Sequence, residues 1–349
     1  MRVLAMLHMY TPHHNAGAEM AMHALLRTLV DRGHVVNVIL SRSHPDITEP
    51  YTVDGVRVHP RRDKGDPPRF LTDPDTAPDV IVTHLENADR ASILGGLHRV
   101  PVVHVCHNNH GPTKWSLLRR PALIVANSQW MADDFSRWWD AARPRRTMPP
   151  MIVIHPPVRP EDYRTKPGQH VTLINVNADK GADMFYRLAR RFPATRFLAV
   201  AGAYGEQDRR DVDNVTWVDH VPGARMRSAV YRRTRVLLMP SAYESYGRAG
   251  VEAACSGIPT IAAPTPGLRE ALGDAGVFAP RDDVDAWTAH LERLLTPSGW
   301  AAASQAALAR AAELHTDADL DRWATAIEGV SRWMHSPHLP TSRPAIRAL

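Results

Sequence analysis

Cysteine is scarce in this chain of 349 residues, which contains only Cys106 and Cys255. Neither has another cysteine nearby, which excludes a disulfide framework and a CxxC metal or redox site. No apolar run reaches the ~18–20 residues of a membrane span. The first apolar stretch meets His8 too soon for the hydrophobic part of a secretory signal. We therefore expect a cytoplasmic protein.

Two common nucleotide-binding signatures are also absent. The chain contains neither GxGxxG nor GxxxxGKS/T, which disfavours a nicotinamide enzyme and a P-loop ATPase. The charge is not extreme, because 42 basic and 37 acidic residues leave a net charge of +5, which says little about partners. With 44% hydrophobic and 23% charged residues, the composition is that of a folded globular protein.

Apolar runs alternate with amphipathic segments, and this pattern predicts two doubly wound α/β domains, each built on a parallel sheet. Buried strands of such sheets are short and apolar on both faces. Runs of this kind lie at 3–7, 35–40, 79–83, 100–106 and 122–126, and then at 171–176, 195–201, 215–218, 236–239 and 260–263. Helices are predicted between them, including 182–191 and 247–255.

Residues 141–160 are rich in proline and arginine, and this composition predicts a connector rather than a helix or central strand. The predicted domains are therefore 1–155 and 156–335. The second includes the terminal helices, the last of which has an apolar stripe from Leu320 to Met334. Residues 336–349 are expected to form a flexible tail.

The segment from Met239 to Thr260 carries two glutamates eight residues apart, Glu244 and Glu252. The first is predicted in the loop before a helix and the second in the early turns of that helix. Both carboxylates can then face one ligand, although such residues can also cap a helix and be solvated. The exposed N–H groups at the start of a helix favour a diphosphate.

This segment resembles the signature of the retaining nucleotide-sugar glycosyltransferases of family 4. The resemblance implies the GT-B fold, in which two Rossmann-like domains face a central cleft and the C-terminal helix crosses back. It implies that Glu244 contacts hydroxyls of the donor sugar and that Glu252 holds the ribose. The amides of Tyr246 and Gly247 would contact phosphate, and Ser245 belongs to the same donor-binding loop.

A second segment, Asn175-Val-Asn-Ala-Asp-Lys180-Gly181, follows a predicted strand and opens a helix. It resembles the diphosphate clamp of the family, which implies that Lys180 stabilises the leaving group. Asn175 stands where the family has an arginine, so this clamp lacks one cation. We hypothesise that Arg248 supplies the missing charge. Gly202, which follows the next strand, is a further donor-binding candidate.

In the first domain, the segment Tyr10-Thr-Pro12-His-His-Asn-Ala16-Gly17-Ala-Glu19 resembles the glycine loop of the family. In the family this loop lets the backbone approach the donor phosphate and the acceptor. Gly17 is therefore a donor-binding candidate. Ala16 replaces one of the usual two glycines, and it is an acceptor-side candidate together with His14.

Two histidines are predicted at the ends of buried strands. His107 matches the family histidine that points at the donor sugar and is a catalytic candidate together with Lys180 and Glu244, whereas His84 is an acceptor-side candidate. In a chain with 19 histidines, either could instead be structural. His104 and His107 are three residues apart on a predicted strand and so point to opposite faces. No cluster has the spacing of metal ligands, and we predict no metal site.

Retention by double displacement needs a carboxylate nucleophile paired with an acid, and no residue in the sequence identifies one. The resemblance instead implies front-face transfer without a metal. The co-substrate would be a nucleoside-diphosphate sugar, with UDP-glucose as the default, and the acceptor a hydroxyl group. No further cofactor is required.

Basic and aromatic residues cluster in the first domain, where Lys114 and Trp115 are acceptor-side candidates. Such residues suit an anionic acceptor such as DNA, or peripheral contact with a membrane surface, but they equally suit a solvated surface. The cluster comprises Arg61, Arg62, Lys64, Arg69, Lys114, Trp115, Arg119, Arg120, Arg137, Trp138, Trp139, Arg143, Arg145 and Arg146. The sequence does not indicate an oligomeric state.

Three other functions remain as alternatives for a protein of this fold. They are a glycosyltransferase acting on nucleic-acid bases, a nucleotide-sugar epimerase and a non-catalytic protein that binds sugar nucleotides. A phosphorylase would carry a lysine site for pyridoxal phosphate, and the sequence identifies none.

Overall fold

The computed structural model describes residues 1–42, 47–60, 66–203 and 205–334. The tail expected at 336–349 and the basic residues Arg61, Arg62 and Lys64 lie outside these ranges. The chain forms two compact units. Of the described residues, the first contains those within Met1–His14, within Ala18–Pro157 and from Asp317 onward, and the second contains those within Asn15–Gly17 and Val158–Thr316.

The first unit is built on a sheet of eight strands in the order β3-β4-β2-β1-β5-β6-β7-β8. The strands are β1 (Arg2–Leu7), β2 (Val35–Leu40), β3 (Tyr51–Val53), β4 (Val56–His59), β5 (Val80–His84), β6 (Val102–Cys106), β7 (Leu123–Ala126) and β8 (Met151–Val153). The helices connecting them are α1 (Gly17–Asp31), α2 (Asp66–Thr72), α3 (Ala88–His98), α4 (Gly111–Leu117) and α5 (Gln129–Ala142). The central strands are buried on both faces, as expected of a parallel sheet covered by helices.

Strands β3 and β4 form an antiparallel hairpin that was not predicted. Its two turn residues, Asp54 and Gly55, have positive φ angles of 45° and 78°. An Asp-Gly pair between two short strands is the usual sequence signal for this type of turn. Strand β8 was not predicted either, because it lies inside the segment that was predicted to be a connector. It is the last strand of the sheet, a position where nearby prolines are tolerated.

The second unit has a parallel sheet in the order β11-β10-β9-β12-β13-β14. The strands are β9 (His170–Ile174), β10 (Phe197–Val200), β11 (Val215–Val218), β12 (Thr234–Met239), β13 (Thr260–Ala262) and β14 (Val277–Phe278). The helices are α6 (Pro160–Tyr163), α7 (Ala182–Arg191), α8 (Met226–Ala229), α9 (Arg248–Ala254), α10 (Pro266–Leu272), α11 (Val284–Leu295) and α12 (Pro297–Glu313). Strand β11 and helix α7 have the predicted bounds, and the doubly wound α/β prediction is confirmed.

Each sheet contains one place where the strand order reverses. In the first sheet the chain proceeds outward from β1 in one direction and from β5 in the other. In the second sheet the corresponding neighbours are β9 and β12. Ligands of doubly wound proteins bind beyond the carboxyl ends of the strands at such a switch point. The loops that follow these four strands are therefore where a site is expected.

The last helix, α13 (Thr316–Met334), corrects the predicted domain assignment. Trp323 is fully buried in the core of the first unit, and its indole N–H donates to the Leu25 carbonyl oxygen at 2.9 Å. Placing this helix in the second domain was therefore wrong, whereas its return to the first unit agrees with the implied fold. Its apolar stripe predicts a buried face but does not specify which core receives it. Among the described residues, no helix is both long and apolar enough to span a bilayer.

Candidate active site

Lys180 and Glu244 meet at the switch point of the second sheet, although they are 64 residues apart in the chain. Lys180 lies in the loop after β9 and Glu244 in the loop after β12. The Lys180 Nζ atom is 2.5 Å from Glu244 Oε1, and the side chains are 20% and 14% exposed. Ser241 Oγ donates to the same carboxylate oxygen at 2.9 Å. The structure thus brings together two of the predicted catalytic residues.

The two loops pack closely because a glycine follows Lys180. Gly181 has a φ of +81°, and a Cβ atom there would lie 2.5 Å from the Pro240 carbonyl oxygen. The amide of Ala242 donates to the Asp179 carbonyl at 2.8 Å. Arg281 ties the loops further, since its guanidinium donates to the carbonyl oxygens of Pro240 at 3.0 Å and of residue 178 at 2.7 Å. The position of the Lys180 and Glu244 pair is therefore set by backbone contacts as well as by charge.

Asn175 organises the neighbouring loop through its side-chain oxygen. Its Oδ1 atom accepts hydrogen bonds from Asn177 Nδ2 at 3.0 Å and Gln207 Nε2 at 3.0 Å. Gln207 Oε1 in turn accepts the Gly202 amide at 2.8 Å, and Asn177 Oδ1 accepts the Lys180 amide at 2.9 Å. The predicted donor-binding residues Asn175 and Gly202 thus share one hydrogen-bonded network that reaches the backbone of Lys180.

The loop before α9 contains the remaining donor-binding candidates Ser245, Tyr246 and Gly247. Gly247 precedes the helix with a φ of +99°, a left-handed conformation that glycine adopts without strain. Tyr246 is 2% exposed. Gly267 of α10 packs against this loop, because a Cβ atom there would lie 2.3 Å from the Glu244 carbonyl oxygen. The loop conformation is therefore fixed by two glycines.

Glu252 lies on α9 at the centre of a buried network. Its Oε1 atom is 2.5 Å from Arg248 Nη1, and its Oε2 atom accepts a hydrogen bond from the Tyr231 hydroxyl at 2.5 Å. Arg248 also donates to the Tyr163 hydroxyl at 2.8 Å. Arg248, the hypothesised extra cation, is thus paired with Glu252 in this structure.

The charges of this network alter the acidity of its members. Burial and then the Glu252 carboxylate raise the pKa of Tyr231 and of Tyr163 above their ordinary range. Burial alone would lower the pKa of Arg248, but Glu252 and Tyr163 raise it. The tyrosines therefore remain neutral and Arg248 remains cationic at neutral pH.

Histidines at the carboxyl ends of neighbouring strands form a second cluster in the first unit. His8 follows β1, His84 ends β5 and His107 follows β6. His8 Nδ1 is 3.2 Å from His84 Nε2, and the rings of His84 and His107 are 5.2 Å apart between centroids. The ring of His14 lies 6.2 Å from that of His8. The predicted His14, His84 and His107 therefore share one region of the unit.

Burial dominates the protonation of these histidines. It lowers the pKa of His84 well below its usual value, with further lowering by His107 and His8. Burial also lowers the pKa of His107 to about 4, although the Glu19 carboxylate opposes that change. Burial would raise the pKa of Glu19, but its hydrogen bond with His8 holds that pKa below the usual value. His84 and His107 are therefore neutral at physiological pH.

The two acceptor-side candidates on α4, Lys114 and Trp115, differ in their partners and their exposure. Lys114 Nζ lies 2.7 Å from Asp134 Oδ2, so its charge is compensated within the first unit. Trp115 is 65% exposed. Of the other aromatic residues in the predicted basic cluster, Trp139 is buried and donates to the Arg146 carbonyl oxygen at 2.6 Å. Of these three side chains, Trp115 is the exposed one, whereas Lys114 is ion-paired and Trp139 is buried.

The predicted glycine loop shows no crowding at its remaining glycine. Gly17 is the first residue of α1, and a Cβ atom there would meet no atom of the described chain within 4 Å. Ala16 precedes it and is half-buried. In this structure, the space beside the Cα atom of Gly17 is open, so glycine is not needed there to let another part of the described chain approach closely.

Several residues of both clusters were not predicted from the sequence. Asn177, Gln207 and Arg281 hold the loops of the second unit, and Tyr231 binds Glu252. In the first unit the missed residues are His8 and Glu19. The position of His8 directly after a predicted strand was the one local signal. Nothing local relates Gln207 or Tyr231 to their partners.

Comparison with known proteins agrees with the fold and the motifs. Residues 15–162 match the model of Glycosyltransferase Family 4, and residues 171–297 match that of Glycosyl transferases group 1. The first match lies largely within the first unit, and the second match lies entirely within the second unit. The chain is therefore a family 4-like glycosyltransferase, and the predicted resemblance is confirmed.

Named relatives cover different shares of the chain. A D-inositol 3-phosphate glycosyltransferase of Mycobacteroides abscessus is 30% identical over 48% of this chain and 41% of its own length. A glycogen synthase of Mycobacterium tuberculosis is 26% identical over 93% of both chains. The chain thus spans less than half of the first of these relatives.

The fold of almost the whole chain is similar to that of several solved structures. Sucrose-phosphate synthase from Thermosynechococcus elongatus has a TM-score of 0.71 at 16% identity, covering 96% of this chain and 99% of that one. Anabaena HepE in complex with UDP-glucose has a TM-score of 0.73 at 16% identity, covering 94% and 100%. The two Rossmann-like units are thus those of the GT-B fold.

Proposed function

We propose that this chain transfers a hexosyl group from a nucleoside-diphosphate sugar to a hydroxyl group of an acceptor. The observation that carries this proposal is the pair of Lys180 and Glu244 at the switch point of the second sheet. A cation and a carboxylate placed there can act on the two halves of one donor: the ammonium on the diphosphate and the carboxylate on the sugar hydroxyls.

In this proposal the donor binds between Lys180 and Glu244, so that their direct contact is lost. Lys180 then faces the diphosphate, whose negative charge grows as the bond to the sugar breaks. Electrostatic groups aimed at developing charge contribute more to the transition state than to the ground state. The amides of Tyr246 and Gly247 would add further donors to the phosphates, and the network of Asn175 would fix the position of the loop.

Glu252 can bind the ribose without losing its present partners. Its two oxygens each hold one group, Arg248 and Tyr231, whereas a carboxylate can accept about four hydrogen bonds. Because Arg248 is paired with Glu252, it influences the donor only through that carboxylate. A direct contact between Arg248 and the donor would require donor binding to break this pair. We therefore assign the direct contact with the leaving group to Lys180.

We propose retention through front-face transfer. The bond between the anomeric carbon and the diphosphate oxygen breaks, the bond to the acceptor oxygen forms on the same face, and the acceptor proton passes to the departing diphosphate. Double displacement needs a carboxylate nucleophile under the anomeric carbon. Both glutamates of the site instead have hydrogen-bonding partners that suit a role in binding. The half-buried His107 would contact the donor sugar.

We propose that transfer itself requires no divalent metal, because Lys180 supplies the positive charge at the diphosphate. Among the described residues, the one group of three side chains with metal-ligand geometry lies in the first unit. Activity should therefore be unchanged when Mg²⁺ or Mn²⁺ is omitted from the assay.

The proposed donor is UDP-glucose, with which the structurally similar HepE was solved. The proposed acceptor is a small hydroxyl compound. A DNA or membrane acceptor would be favoured by a basic surface, but Lys114 is paired with Asp134 and Arg119 with Asp89. These ion pairs leave less charge for an anionic polymer or a lipid surface.

The test combines donor binding with product analysis. A thermal-shift screen of UDP-, GDP-, ADP- and TDP-sugars identifies the donor, because a ligand at 100 times its dissociation constant adds ~2.7 kcal/mol of stability. The chosen donor is then incubated with and without hydroxyl acceptors, and the anomeric configuration of the product is determined by NMR. A retained glycoside supports the proposal.

Two outcomes would contradict it. Conversion of the donor sugar into its epimer without any acceptor would identify an epimerase. Tight donor binding with neither hydrolysis nor transfer would identify a non-catalytic binding protein.

A further inference from the structure

Three side chains converge at the switch point of the first sheet. His8 follows β1 and His84 ends the neighbouring strand β5, so both lie at the same edge of the sheet. Glu19 lies in the first turn of α1. This cluster of His8, Glu19 and His84 is formed entirely within the first unit and does not depend on the proposed sugar transfer.

The donor atoms of this cluster are close enough to share one ligand. His8 Nε2 is 3.1 Å from Glu19 Oε1, and His8 Nδ1 is 3.2 Å from His84 Nε2. One donor atom from each of the three side chains lies within 4.8 Å of the other two. Glu19 and His84 are 2% and 0% exposed, whereas the His8 side chain is 16% exposed and gives an ion access from solvent.

Hydrogen bonding within the described chain does not satisfy this cluster. Glu19 Oε2 and His84 Nδ1 are buried and have no hydrogen-bond partner among the described residues. A buried polar atom left without a partner destabilises the folded state, because it has lost its hydrogen bonds to water. A purely structural hydrogen-bonded chain of the three residues would leave both atoms in this state. Glu19 and His84 therefore each keep one buried atom with unused capacity to bind a ligand.

We propose that His8, Glu19 and His84 bind a divalent transition-metal ion of the zinc class. Imidazole nitrogen and carboxylate oxygen are ordinary zinc ligands, and two histidines with one glutamate form a three-residue set that leaves a fourth position open. Mg²⁺ and Ca²⁺ instead prefer sites made of oxygen ligands. The ligand chemistry therefore favours zinc over the alkaline-earth ions.

The geometry needs only a local adjustment. Donor atoms at about 2.0–2.1 Å from a tetrahedral ion lie roughly 3.3 Å apart. The two short distances involve different nitrogens of His8, and one ion uses only one of them. At most one of these distances is therefore already near this value, and the wider separations of up to 4.8 Å must contract when the ion binds. Rotation of the partly exposed His8 ring provides this contraction, since one of its nitrogens is sufficient for the ion.

The test measures zinc binding to the full chain after removal of metals with a chelator. Isothermal titration with ZnCl2 should show one tight site per chain, and MgCl2 should show none. Glu19→Gln and His84→Gln should each weaken zinc binding at least tenfold. His315→Gln, which removes an exposed histidine of the second unit, is the matched control and should bind zinc as the wild type does.

A spectroscopic measurement on the wild type avoids dependence on the folding of the variants. X-ray absorption at the zinc edge should show nitrogen or oxygen ligands together with the outer-shell scattering of two imidazole rings. The proposal is overturned if the wild type binds no zinc, if Glu19→Gln and His84→Gln with native circular dichroism bind as tightly as the wild type, or if the spectrum lacks imidazole scattering. Failure of sugar transfer would affect none of these readouts.

Discussion

Replacing Lys180 with methionine tests the proposed centre of the active site. Methionine keeps the length and apolar stem of the side chain but removes the ammonium that lies 2.5 Å from Glu244. Removing one preorganised electrostatic group from a transition state typically costs ~3–4 kcal/mol. At ~1.4 kcal/mol for each factor of ten, Lys180→Met should lower kcat on the order of a hundredfold to a thousandfold.

The same substitution has a smaller effect on stability. The pair is partly buried, so its loss should cost about 1–3 kcal/mol, between the values typical of exposed and of buried pairs. Ser241 continues to donate to Glu244, which limits the exposure of an unpaired carboxylate. Combining Lys180→Met with Glu244→Gln should therefore destabilise the protein less than the sum of the single variants.

The assay follows release of the nucleoside diphosphate at saturating donor, which allows hydrolysis to be measured before the acceptor is known. Lys166→Met is the matched control, because Lys166 is an exposed lysine of the same unit, and its kcat should equal that of the wild type. Urea unfolding of both variants separates chemistry from stability. A folded Lys180→Met enzyme with kcat within about threefold of the wild type would refute the role of Lys180.

Two further predictions concern packing and pH. Gly202→Ala should destabilise the protein by ~1–3 kcal/mol and weaken donor binding, because its Cβ atom would lie 2.1 Å from Asn175 Oδ1. Gly96→Ala in α3, where a Cβ meets no described atom within 4 Å, should not destabilise it, and equal urea midpoints for both variants would contradict this prediction. Burial would raise the pKa of Asp134, but Lys114 and Asn109 hold it below the ordinary value. The stability from this pair is therefore present above about pH 4 and lost as pH falls through the lowered pKa. Lys114→Met should cost ~1 kcal/mol at neutral pH, and a difference from the wild type that persists unchanged at about pH 2 would exclude this linkage.

The sequence was sufficient to predict most elements because their signals are local. Helix α7 and strand β2 have the bounds that periodicity predicted, since alternation of apolar and polar residues depends only on near neighbours. The hairpin of β3 and β4 was missed despite its Asp-Gly turn. Its strands have only three and four residues, too few to show a clear alternation.

The location of α13 required the tertiary structure. An apolar stripe around Trp323 shows that one face must be buried, but it is equally compatible with either core. The choice depends on the shape of the surface beside Leu25, which exists only after the first sheet has formed. The same reason explains why the partners of Asn175 and Glu252 were not predicted.

The order of helices and strands, the family resemblance and the residue types at the ends of the strands could all be predicted from the amino-acid sequence. Which of those ends become neighbours depends on how the chain folds. Strand pairing places Lys180 beside Glu244 and His8 beside His84. Both are contacts between distant segments, and no local pattern encodes the strand order that creates them.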